Sequence, residues 1–90
     1  MSTPKIQIYV ADWCPYCARA RQLLKSKAVA FEEIDVDARP EARAEMTARS
    51  GRQTVPQIFI GDIHVGGSDE LLAREASGTL DPLINPRNAS

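Results

Sequence analysis

Apolar residues change their spacing several times along this chain, and each change marks an element. Between Ile6 and Val10 they alternate, which predicts a strand with Ile6, Ile8 and Val10 on one face. Cys17, Ala20, Leu23 and Leu24 then recur at helical spacing, with Arg19, Arg21, Lys25 and Lys27 on the other faces. An amphipathic helix ending by Ala28 is expected there. Residues 31–36 read as a second strand, and the helix-length connection makes it parallel to the first through a right-handed crossover. Pro40 suits the first turn of a second helix, which runs through Ala42 and Met46 until Gly51 caps it.

The second half follows another pattern. Residues 57–60 and 63–65 are short apolar strands separated only by Gly61 and Asp62, so they form an antiparallel hairpin. Ser68 is the expected N-cap of a third helix, with Asp69 and Glu70 in its first turn, Leu71 and Leu72 on its buried side, and Gly78 at its end. A last helical turn is expected over residues 79–84, and residues 85–90, with Pro86, read as a loose tail. The order β-α-β-α-β-β-α predicts one α/β domain over residues 1–84, a four-stranded mixed sheet with helices on both faces.

Composition narrows the function. The 90 residues carry 11 Lys and Arg against 12 Asp and Glu, a net charge of −1 that makes no case for nucleic acid or an acidic membrane surface. The first residues enter a strand without the apolar core of a signal peptide, and no stretch approaches the roughly 20 apolar residues of a membrane span. A reducing cytoplasm is the expected location.

Both cysteines of the chain lie in Cys14-Pro15-Tyr16-Cys17, at the junction of the first strand and first helix. A zinc site would need two further ligands, and His64 is the single histidine. A structural disulfide closing so short a loop contributes little. Redox exchange fits better. At the helix start, unpaired N–H groups and the positive end of the dipole favour thiolate over thiol at Cys14, while Cys17, one turn deeper, can close on it. His64 has no second imidazole or acid at catalytic spacing, so it reads as a surface residue without a role.

Together with Thr54-Val55-Pro56 and Gly66-Gly67-Ser68-Asp69, this motif resembles a dithiol glutaredoxin over nearly the whole chain, and so a thioredoxin fold of the glutaredoxin type. Thioredoxin itself usually carries Gly-Pro between its cysteines and lacks the Gly-Gly-x-Asp element. The resemblance implies a glutathione-dependent thiol-disulfide oxidoreductase, monomeric and without a tightly bound cofactor or metal. Its partners would be glutathione and glutathionylated or disulfide-bonded proteins such as reductases. On spacing alone, Pro56 would merely open an edge strand. The resemblance implies instead a cis peptide bond that exposes the backbone of Val55 beside Cys14, where it pairs with the cysteinyl unit of glutathione. Thr54 would line the same groove and Tyr16 would shape it. Gly67, Ser68 and Asp69 would receive the γ-glutamyl end, with amides for its carboxylate and Asp69 for its ammonium.

Two positions depart from the family pattern. Ala11 stands where lysine is common, so Arg52 and Gln53 are the expected replacement donors for the glycine carboxylate of glutathione, with Arg19 adding positive potential. Trp13 stands where threonine or serine is usual and is shared with thioredoxins. The alternatives are a thioredoxin-like reductant fed by a flavoprotein reductase, or a carrier in which Cys14 of two chains holds an iron–sulfur cluster with two glutathiones.

Overall fold

The computed structural model describes residues 4–12 and 14–84. Trp13 and the expected tail at residues 85–90 lie outside them. The elements run β1 (Ile6–Val10), α1 (Pro15–Ser26), β2 (Glu32–Asp35), α2 (Pro40–Ser50), β3 (Gln57–Ile60), β4 (Ile63–Gly66), α3 (Ser68–Ser77) and α4 (Leu80–Ile84). No helix among the described residues is long and apolar enough to cross a membrane.

The four strands form one mixed sheet of order β2-β1-β3-β4. β1 pairs parallel with β2 and antiparallel with β3, and β3 pairs antiparallel with β4. This is the thioredoxin-type arrangement expected from the element order. Placing β1 in the middle changes one expectation: Tyr9 is fully buried along with Ile6, Ile8 and Val10, because both faces of the central strand are covered. The Tyr9 hydroxyl is satisfied there, donating to Glu45 of α2 and accepting from Arg49 at 2.9 Å.

Helix ends follow the local chemistry. Gly51 and Gly78 adopt left-handed conformations, at φ 73° and 78°, and close α2 and α3 as predicted. The start of α3 differs. Gly67 is its N-cap, and Ser68, expected in that role, is the first helical residue. Leu71 is buried as expected, but Leu72 is exposed, since consecutive helical positions diverge by about 100° and only one of this pair can face the core. Leu24, Met46, Ile58, Leu71 and Leu80 belong to one apolar cluster that reaches Cys14 and Cys17 at the start of α1.

Candidate active site

Pro15 opens α1 with its fixed φ, which leaves Cys14 at the N-cap in an extended conformation (φ −93°, ψ 113°). The positive end of the helix dipole therefore acts on its sulfur, and no acidic residue occupies the first turn to oppose it. Cys14 Sγ donates to the carbonyl oxygen of Val55 at 3.7 Å, and the Val55-Pro56 peptide bond is cis. Cys14 is 4% exposed, so a sulfur partner has a narrow approach. Cys17 has no exposed surface, and burial pushes its thiol up to about 12, helped by the hydrogen bond and charge of Cys14 and opposed by the Ala11 backbone and Arg21. Both cysteines are free thiols.

Val55 connects this sulfur to a cleft of about 230 Å³. Thr54, Val55 and Pro56 line it from the loop before β3, Gly67, Ser68 and Asp69 from the start of α3, and Tyr16 from α1. Tyr16 is 53% exposed, which is unusual for so large a ring. Arg52 also borders the cleft, but its guanidinium is held by Glu70 at 3.1 Å. Gln53 departs from expectation. It does not line the cleft, and its carbonyl instead accepts from Arg43 at 3.2 Å. Ala11 is fully buried, so this position presents nothing to a ligand in the cleft. Among the described residues, no group of His, Cys, Asp or Glu is placed to hold a metal ion.

Two lining residues escaped the sequence reading, Glu70 and Gln57. Glu70 lies three residues after the N-cap and its carboxylate accepts the Gly67 N–H at 2.6 Å, the reach-back of a capping box that a glycine cap made easy to overlook. That bond and Arg52 hold its carboxyl below the usual carboxylate range. The first-turn N–H groups of Ser68 and Asp69 have no carbonyl one turn earlier within the helix and remain as donors at the cleft. Gln57 was signalled only by being polar inside an apolar strand. It is 1% exposed.

Close packing explains Gly66. At φ +119°, a Cβ there would lie 2.6 Å from Glu70 Oε1 and 2.9 Å from Glu70 Cβ. Gly66→Ala is therefore expected to destabilise the fold by about 1–3 kcal/mol through backbone strain and displacement of Glu70. Urea denaturation checks this, and a change below about 0.5 kcal/mol, the range of an ordinary surface substitution, would contradict it.

The family model described as Glutaredoxin matches residues 6–65. A glutaredoxin of Pseudomonas aeruginosa is 54% identical over 82 residues, 91% of this chain and 98% of that protein. The solution structure of glutaredoxin from Brucella melitensis has a TM-score of 0.83 at 53% identity, covering 98% of this chain and 96% of that one. The crystal structure of a buckwheat glutaredoxin–glutathione complex has a TM-score of 0.85 at 26% identity, over 92% of this chain and 78% of that one. With two free thiols at a helix start, a family model matching residues 6–65 and a relative 54% identical over 98% of its length, the chain belongs to the glutaredoxin family of thiol-disulfide oxidoreductases.

Proposed function

We propose that this protein is a glutathione-dependent oxidoreductase that reduces protein–glutathione mixed disulfides and protein disulfides in a reducing cytoplasm. The observation that carries this reading is the continuity of the cleft: the Val55 carbonyl beside Cys14 Sγ borders the same depression as Gly67, Ser68 and Asp69. A tripeptide with its sulfur at Cys14 would lie as an added strand against Val55 and extend its γ-glutamyl carboxylate toward the α3 amides. Tyr16, Thr54 and Pro56 would wall the groove, and Asp69 would receive the ammonium. Glu70 keeps Arg52 occupied, so the glycine carboxylate would meet a weaker cation than Arg52 alone would provide.

Cys14 thiolate attacks the glutathione sulfur of the mixed disulfide. The S–S bond breaks, the protein thiolate leaves and takes up a proton, and a disulfide joins Cys14 to glutathione. A second glutathione thiolate then attacks the glutathione half of that bond, which frees Cys14 and yields oxidised glutathione. For a protein disulfide, Cys14 forms the mixed disulfide, Cys17 loses its proton and displaces the protein, and two glutathiones reduce the resulting internal disulfide.

Steady-state reduction of a glutathionylated peptide, supplied with either glutathione or a flavoprotein thioredoxin reductase as donor, tests the reading. Turnover that saturates in glutathione is expected; turnover with the flavoprotein alone would overturn it. Asp69→Ala should raise the KM for glutathione roughly 1.5- to 5-fold, the worth of an exposed ionic contact, and this difference should fade at high salt. An unchanged KM at low salt would remove Asp69 from the site.

A further inference from the structure

His64 and Gln57 form a chain of contacts that ends at Thr54. The β3-β4 register steps from Ile58 opposite Gly66 to Phe59 opposite His64, leaving Val65 as a bulge. Bulges re-aim neighbouring side chains. His64 stacks on Phe59 with ring centroids 4.8 Å apart at 24°, and its Nε2 lies 2.7 Å from Gln57 Oε1. Arg49 covers Phe59 with its guanidinium 4.0 Å from the ring centroid. Gln57 Nε2 donates to both the carbonyl oxygen and Oγ1 of Thr54, at 3.0 and 3.2 Å.

The directions of these bonds are determined. The Thr54 carbonyl can only accept, so the Gln57 amide nitrogen must face it and the Gln57 oxygen must face His64. That oxygen also only accepts, so His64 must carry its hydrogen on Nε2. Burial, together with the Arg52 and Arg49 charges and against that of Glu70, pushes the His64 imidazole below its ordinary range, which suits a neutral ring with one hydrogen. The buried Gln57 amide has all its polar atoms engaged, two bonds going to the residue that begins the Thr54-Val55-Pro56 wall.

We propose that His64 and Gln57 are positioning residues, with His64 orienting the Gln57 amide so that it holds Thr54 and the Val55 backbone in place beside Cys14. His64 does not line the cleft itself. The kinetic consequence rests on the glutathione reading above; the structural consequence does not.

Three variants test the relay. His64→Phe preserves the stack on Phe59 and deletes the donor; His64→Gln restores a donor; Gln57→Met keeps the shape of the side chain and deletes both ends of the relay. Without substrate, ¹⁵N order parameters of Thr54 and Val55 should fall from about 0.85 toward 0.6 or less in His64→Phe and Gln57→Met. His64→Gln should remain near wild type. In turnover, His64→Phe and Gln57→Met should raise the KM for glutathione about two- to tenfold, the range of one or two lost hydrogen bonds, with kcat changed less than about twofold. Order parameters and KM at wild-type values in both variants would overturn the proposal. So would a loss of kcat and KM alike that His64→Gln fails to rescue, since this marks a general structural defect. If the loop loosens but no form of the enzyme saturates in glutathione, the relay stands and the glutathione reading falls. Should His64→Phe fail to fold, Gln57→Met decides alone.

Discussion

Cys14→Ser is expected to lower turnover at least about a thousandfold with every disulfide substrate, as removal of the nucleophile does in covalent mechanisms. Cys17→Ser should retain most of the activity on a glutathionylated peptide and lose reduction of protein disulfides. The difference follows from position. Cys14 is the N-cap of α1 with its sulfur against Val55, where a substrate sulfur can reach it, whereas Cys17 has no exposed surface and can meet only a disulfide already formed on Cys14. Release of glutathione from a mixed disulfide needs one protein sulfur, and resolution of a protein disulfide needs both. Parallel assays of the two variants on the two substrate types check this. Equal loss in both variants on the glutathionylated peptide would contradict the one-sulfur route.

Cys17 should remain unalkylated long after Cys14 is consumed. With its thiol pushed up to about 12, chiefly by burial, it is a thiolate in about one molecule in 10⁴ at pH 8. A free cysteine is roughly one-quarter ionised there, so Cys17 should react on the order of 10³ times more slowly. Its rate should climb about tenfold per pH unit from pH 8 to 11, the raised value placing its titration above this window. In Cys14→Ser the rate should rise, because Cys14 contributes to the upward shift, yet stay below that of a free cysteine, because burial is the larger cause. Mass mapping after timed alkylation measures both. A Cys17 rate that levels off near pH 8.5, the unperturbed range, would show that the core does not protect it.

Periodicity and end signals were enough to place the elements. The alternation at Ile6 to Val10, Pro40 and Gly51 around α2, and Gly61-Asp62 between the hairpin strands each act through nearest neighbours, so they are visible in a linear string. The cysteine motif was legible from its place between strand and helix, whereas Thr54-Val55-Pro56 and Gly67-Ser68-Asp69 stood out only through the resemblance to glutaredoxins; the structure brings Tyr16 and those two segments to one cleft beside Cys14. What escaped depends on three-dimensional competition. Tyr9 is buried because strand order puts β1 in the middle of the sheet. Arg52 was expected at a ligand carboxylate, but Glu70, 18 residues later, claims its guanidinium. His64 looked idle because its partners, Phe59 and Gln57, lie across a hairpin whose register is shifted by a bulge.

A sheet of this order has two borders open to a foreign strand, and they are guarded differently. β2, on one border, reads Glu32-Glu33-Ile34-Asp35, so a strand docking along it would meet three carboxylates. The Gln7 amide first and the Lys5 ammonium next hold the Glu32 carboxyl below the ordinary carboxylate range, so the Glu32 charge survives mild acidification. Gln7 belongs to β1 and Lys5 directly precedes it, so the strand at the centre of the sheet also sustains the charge that keeps the β2 border from recruiting other chains. β4, on the other border, is short and bulged, which spoils it as a template for pairing. Neither border of the sheet therefore offers a long, flat, uncharged edge for a second chain to pair with.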